Sequence, residues 1–460
     1  MKAHESSFRD PSGFVFTEGN RIKRDIYPLY FKQYEALTSG GVYRELIEKK
    51  LLIPHEEVYK DEEKITIRPE RIPFVSYPYE WSFTQYKHAA LLTLKIQKLC
   101  LEHNFTLKDA SAFNVTYHKG RPFFIDTLSF DFYTEGSPWR AYKQFLSHFL
   151  APLALAGYYG ADFLKMMNRY IDGIPLEFAA SLLPFKSRFN LALYTHIHLP
   201  AKYETKYKEK TDEEVTIKPL SKKAQLKIID HLYGYIRKLK VSGKTEWEDY
   251  YNHTNYDKAS FRLKATMVTS WISMLKPQTV VDIGGNNGLF SRKLIHRNSA
   301  VLVADSDTAA VDQNYRDSIK NEEDHIIPIV CDILNPSPAV GFNNTERASF
   351  LERLQSLKPD ICLVLALIHH LTLSGNVPFD RSAAFFAAFC KYLLLEFPSE
   401  EDSQVQFLLQ RKGDFKQHFD FYTTAAFEEA YTEHFYIIKQ KAIENTHRTL
   451  YLLENKKVRY

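Results

Sequence analysis

The sequence predicts an α/β protein: a C-terminal, seven-stranded, doubly wound Rossmann-like domain joined to an N-terminal α+β domain. Three observations predict it. From residue 246 to the end, short apolar β-rich runs alternate with helical stretches, the pattern of a parallel sheet flanked by helices. Aspartates stand at or beside the ends of the first three runs, and a glycine turn follows the first. The chain has 460 residues, against roughly 100–200 for one domain, and its composition divides it. Residues 1–200 are rich in aromatics, 201–245 hold a charged linker and a helix, and 246–460 carry the alternation.

The elements follow in order. Residues 1–20 are polar and lack the apolar core of a secretory signal. A helix is expected over 83–102 and an apolar strand, PFFID, over 122–126. The apolar stretch 145–159 is broken by Ser147, His148 and Pro152, and a bilayer span needs about 20 apolar residues, so it reads as a core helix. The run KYETKYKEKTDEE, 202–214, reads as a solvated linker or helix face, and a helix follows over 222–239. Strands are then expected at 279–283, 300–304, 326–331, 360–367 and 392–397, with a closing pair at 435–441 and 449–453.

Composition excludes several classes. With 45% hydrophobic and 25% charged residues the chain is neither disordered, collagenous nor disulfide-stapled. Sixty basic against 56 acidic residues give +4, a balance that argues against a nucleic-acid partner. Cys100, Cys331, Cys362 and Cys390 are widely spaced, without a CxxC pair, so no metal site is expected and buried thiols in a cytoplasmic, soluble protein are. Nothing in the residues sets an oligomeric state.

The candidate site lies at the carboxyl ends of the strands, where open α/β sheets bind ligands. Asp282, Gly284 and Gly288 form D-x-G-x-x-x-G between a strand and a helix. Glycines there let the backbone approach a ligand closely. Asp305 closes the next strand, placed to accept from ribose hydroxyls, and Asp332 closes the third, placed for the amine of an adenine.

The segments VVDIGGNNGLFS, LVADSD, VCDI and LALIHHL resemble, in order and spacing, the motifs of class I S-adenosylmethionine-dependent methyltransferases, over 246–460. The resemblance implies S-adenosylmethionine as cofactor. Asp282 and the turn Gly284, Gly285, Asn286 and Gly288 would hold its methionine part, and Asp305 with Ser306 its ribose. Asp332 and Ile333 would hold the adenine, with Ala366 and Leu367 beneath the sulfonium. The lead-in WEDYYNHTNY, 247–256, resembles a segment that covers the cofactor in a subset of the family, which singles out Tyr256. The whole chain also resembles a narrower group, two-domain bacterial methyltransferases similar to a host-specific nodulation protein.

Methyl transfer from a sulfonium needs alignment and exclusion of water, and a base only where the acceptor is a hydroxyl or a protonated amine. His369 and His370 follow the fourth strand and are the candidates for that base; the bland reading is a strand-end cap and a packed ring. No N-P-P-Y-type segment of nucleic-acid amino methylases is present. The acceptor expected is a small molecule or a glycan-type metabolite.

A second constellation lies in residues 105–131. Asn114 follows Asp109 by five residues and Asp126 follows Asn114 by twelve. The spacing is similar to the catalytic loop of kinase-like and aminoglycoside-phosphotransferase-like folds, which would bring Mg-ATP. Lys108 precedes Asp109 without the usual histidine, Asp126 is followed by Thr-Leu, and no glycine-rich phosphate loop lies upstream. Three readings stay open: an ordinary hairpin with an HKG turn and Asp109 as a cap, a degenerate kinase-like domain, and an active phosphotransferase. Two further readings of the whole chain also stay open: a phosphotransferase with a regulatory nucleoside-binding domain, and a non-catalytic S-adenosylmethionine-binding protein. The aromatic excess, 33 Phe and 29 Tyr, is expected mostly to fill the N-terminal core, a minority lining a groove for an acceptor.

Overall fold

The computed structural model describes residues 4–19, 21–208, 219–241, 258–294 and 300–457. They form two compact units. The first comprises Met1–Gly243 with Ala339–Arg347, the second Lys244–Pro338 with Ala348–Tyr460. The helix Lys222–Lys238, which the sequence places between two domains, belongs to the first unit, as does the short excursion Ala339–Arg347 from within the C-terminal half.

The first unit opens with an antiparallel sheet of β1 (Gly13–Glu18), β2 (Arg21–Ile26), β3 (His55–Lys60) and β4 (Ile65–Pro69), in the order β1-β2-β4-β3. Ile26, Ile65 and Ile67 pack with Tyr30, Tyr34 and Leu128 into its core. The helix Phe83–Glu102 starts at a capping box, in which Ser82 and Gln85 satisfy each other's backbone N–H groups. β5 (Phe105–Leu107) pairs with β8 (Phe130–Phe132), and β6 (Val115–His118) forms a hairpin with β7 (Arg121–Phe124). That hairpin turns on Lys119 at φ 47° and Gly120 at φ 71°, the left-handed pair a two-residue hairpin demands. The stretch 145–159 is helical and buried through Ala156, so it is core. Many rings fill this interior: Trp81, for one, meets Tyr86 and Tyr117 edge-on at 5.6 and 5.5 Å.

The second unit is a mixed seven-stranded sheet. Its strands are β9 (Thr279–Ile283), β10 (Ala300–Asp305), β11 (Ile326–Val330), β12 (Ile361–Val364), β13 (Tyr392–Pro398), β14 (Phe435–Ile443) and β15 (Arg448–Asn455). They lie in the order β11-β10-β9-β12-β13-β15-β14. The first five are parallel, and β15 runs antiparallel to both neighbours. Pro328 has no N–H to give, and β11 that carries it is an edge strand. Strand order reverses between β9 and β12, so the carboxyl end of β9 faces the switch point. The helix Lys258–Leu275 covers one face, its Val268, Trp271 and Ile272 packed with Val280, Val301 and Leu363.

The strand expected over 360–367 stops at Val364. Two residues later Ala366 takes φ 53°, which ends strand geometry although the sequence stays apolar. The closing hairpin is longer than expected at both strands.

Candidate functional site

β9 delivers Asp282 to the switch point, paired across the sheet with Val303 on one side and Leu363 on the other. The chain then turns at Gly284 (φ 74°), whose N–H donates to the carbonyl of Ala304 at 2.8 Å. A Cβ on Gly285 would stand 2.5 Å from Val303 Cγ1 and 2.9 Å from the Asp282 carboxyl, so this position has no room for a side chain. Asn286 follows at φ 48°, a conformation asparagine tolerates.

These residues open onto a cavity of about 250 Å³. Of the twelve residues assigned to the cofactor from sequence, ten line it: Asp282, Gly284, Gly285, Asn286, Asp305, Ser306, Asp332, Ile333, Ala366 and Leu367. Gly288 does not. At φ 76° it faces the Asn314 amide, which a Cβ would meet at 2.8 Å, so it packs the turn against the helix Thr308–Lys320. Tyr256 and its segment lie outside the described residues.

Asp305 is the strongest polar feature. One carboxylate oxygen accepts from the backbone N–H of Asn286 at 2.8 Å, the other from that of Asp307 at 2.9 Å. A carboxylate offers about four acceptor directions; the Ser306 N–H draws on it as well, which leaves capacity for a ligand hydroxyl. Burial raises its pKa, partly opposed by those N–H groups. Asp307 is a separate device, capping the next helix through the N–H groups of Ala309 and Ala310. Asp332 is exposed, with one oxygen accepting from the Leu334 N–H at 2.9 Å.

Asp282 is 2% exposed and accepts from Ser291 Oγ at 2.5 Å. Burial first, with the charge of Asp305, pushes its pKa up to about 6, against the hydrogen bond from Ser291 and the charge of Lys264.

The two histidines separate. His370 lines the cavity; His369 does not, being buried with Nδ1 unbonded among the described residues and its ring 4.2 Å from that of His370. Burial lowers both pKa values, Arg448 adding its repulsion, so both rings are neutral near pH 7.

Sequence reasoning missed Lys264, which also lines the cavity. Its ammonium is ion-paired with buried Glu396 and lies 4.7 Å from the Phe290 ring. Glu396 also takes Arg448 Nη1 at 3.0 Å, and Arg448 reaches Asp402 through Nε at 2.7 Å and Nη2 at 3.2 Å. Two cations and two anions thus share a buried chain. The available signal was Glu396 itself, a charge inside the apolar run YLLLEF, which burial obliges to find partners.

In the first unit, Asp109 caps locally through the Ser111 N–H at 2.9 Å, and Asn114 Nδ2 donates to Ser129 Oγ at 3.2 Å. Asp126 is ion-paired with Arg24 of β2 and accepts from Ser129 Oγ and the Leu128 N–H. Burial alone would raise Asp126; the Arg24 charge and those donors outweigh it and hold the acid below the usual carboxylate range. Asp109 is raised by burial and by the charge of Asp126. Among the described residues no cluster of three or more His, Cys, Asp or Glu side chains could hold a metal ion.

Fold and site together define a class: a two-domain protein whose second unit has a Rossmann-like sheet consistent with the S-adenosylmethionine-dependent methyltransferase fold, preceded by an α+β unit. The chain belongs to the family of the nodulation protein NoeA of Rhizobium meliloti (strain 1021). The two are 30% identical over 461 residues, covering 97% of this chain and 95% of that protein. No family model matches the chain. Similar solved structures include the N-methyltransferase NodS from Bradyrhizobium japonicum WM9 in complex with S-adenosylhomocysteine: 14% identity, 44% of this chain, 89% of that one, TM-score 0.31. Another is the bifunctional kinase-methyltransferase WbdD, at 14% identity over 47% of this chain and 43% of that one, TM-score 0.31. The fold assignment stands on strand order and register, not on these distant likenesses.

Proposed function

We propose that the second unit binds S-adenosylmethionine and transfers its methyl group to a small-molecule or glycan-type acceptor. The observation that carries this reading is the cavity at the switch point, where the Asp305 carboxylate, held by backbone N–H groups alone, keeps acceptor capacity beside the Gly284–Asn286 turn. When bound, S-adenosylmethionine supplies an activated methyl group. Asp305 with Ser306 would take its ribose, the Gly284–Asn286 turn its amino-acid part, and Asp332 with Ile333 its adenine. Ala366 and Leu367 would line the sulfonium end, with His370 beside them as a neutral ring able to accept a proton from a hydroxyl acceptor. His369, behind that ring, positions it. Membership of the NoeA family supports a product that serves nodulation.

The first unit's antiparallel sheet, long helix and hairpin flanked by Asp109, Asn114 and Asp126 support a degenerate kinase-like reading. Arg24 occupies Asp126, which favours a recognition role over magnesium-dependent phosphoryl transfer. Titration calorimetry tests the main reading. Asp305→Ala removes a charged acceptor worth about 1.5–3 kcal/mol, so affinity for S-adenosylmethionine is expected to fall roughly tenfold or more. Unchanged affinity in a folded variant would sink the assignment.

A further inference from the structure

Residues 185–194 of the first unit run through short helical turns and hold their largest apolar side chains in solvent. Phe185 is 68%, Phe189 80%, Leu191 70% and Tyr194 47% exposed. The segment is nonetheless anchored: Ser187, Ala192 and Leu193 are buried, and Ser187 Oγ is hydrogen-bonded to His198 Nε2 at 2.8 Å. The Phe185 and Phe189 rings meet edge-on at 5.6 Å. Tyr159 is 46% exposed, its hydroxyl donating at 2.5 Å to the carbonyl of Leu182, three residues before the segment.

Single exposed hydrophobic residues are ordinary, but an anchored group of this size marks an interaction surface. Along the chain the charges within it are of one sign. Between Glu177 and Glu204 the chain has no acidic residue, only Lys186, Arg188 and Lys202. Arg188 lies 5.4 Å over the Phe185 ring and Lys186 5.5 Å over that of Tyr158, so cations and rings leave from the same face. A dry protein interface would have to strip water from those cations. A bilayer surface accommodates both, rings at the acyl boundary and cations among phosphates.

We infer that this face docks the protein on an anionic lipid bilayer, as a peripheral contact. No helix among the described residues is long and apolar enough to cross a membrane, which fits attachment from one side.

Co-sedimentation of the full chain with vesicles tests this. The protein is expected to pellet with equal parts phosphatidylcholine and phosphatidylglycerol, less as salt is added, and far less with phosphatidylcholine alone. Phe185→Ser combined with Phe189→Ser should lower the partition coefficient about tenfold or more, and Lys186→Gln with Arg188→Gln should erase the preference for phosphatidylglycerol. These side chains are exposed, so melting temperatures should not move; if the double serine variant melts early, Leu191→Ser alone serves. Wild-type protein left in the supernatant with both vesicle types overturns the inference. So do variants that pellet like wild type, or a dimer that Phe189→Ser disperses, since a second copy would then cover the face.

Discussion

Asp305 in the second unit and Asp126 in the first begin alike, each an aspartate where a short apolar strand gives out. Their surroundings then part. Asp305 accepts only from backbone N–H groups and opens onto the cavity, and burial raises its pKa. Asp126 is held by the Arg24 cation, Ser129 and a backbone N–H, which lower its pKa. An acid with acceptor capacity left beside a cavity can take a ligand, whereas an acid already neutralised by a guanidinium holds its own unit together. The same residue type at the same kind of position serves binding in one unit and architecture in the other.

The comparison can be broken from several sides. The largest effect is expected inside the second unit, whose closed counterpart to Asp126 is the chain of Lys264, Glu396, Arg448 and Asp402. Arg448→Met strands the buried Asp402 and leaves Glu396 to Lys264, and should cost about 3–5 kcal/mol in urea unfolding. A loss below ~1 kcal/mol would mean the chain is less closed than its geometry.

Next comes Asp282. Its pKa of about 6 in the folded state exceeds the ordinary 3.8, so between those values the folded state holds a proton the unfolded state has released. Stability therefore falls as pH rises from about 4 to 6 and levels off above. Asp282→Asn keeps an acceptor for Ser291 and should flatten that slope by roughly 3 kcal/mol between pH 4 and 8, read from unfolding at each pH. An unchanged slope would place the titration elsewhere.

The smallest effect sharpens the comparison most. Arg24→Met should cost about 1.5–3 kcal/mol of stability while leaving affinity for S-adenosylmethionine untouched, the reverse of Asp305→Ala. Calorimetry and unfolding on both variants read the two responses separately. If Arg24→Met weakens ligand binding as much as Asp305→Ala does, the two acids are not divided between binding and architecture.

Much of the second unit was legible, because its signals are local. Apolar runs gave the strands β9 to β15, and the aspartate-then-glycine turn after β9 gave the switch-point end of the sheet. The departures are local too: Ala366 looks like strand but turns at φ 53°, and Gly288 faces Asn314 instead of lining the cavity. The first unit was harder. Helix Phe83–Glu102 and the HKG turn could be read, but Arg24 stands 102 residues from Asp126, and no periodicity links them.

By itself the sequence determined where strands start, which acids end them, where glycine is required, and that a charge sits in β13. Each follows from side-chain period and turn chemistry within a few residues. Tertiary structure alone decided which acids stay open. Pairing a carboxylate with Arg24, or bringing Lys264, Glu396 and Arg448 together from three elements, depends on how distant segments pack. It likewise placed β15 between β13 and β14 and put His370 on the cavity wall with His369 behind it. Local chemistry names the candidates, and long-range packing leaves an acceptor open or consumes it.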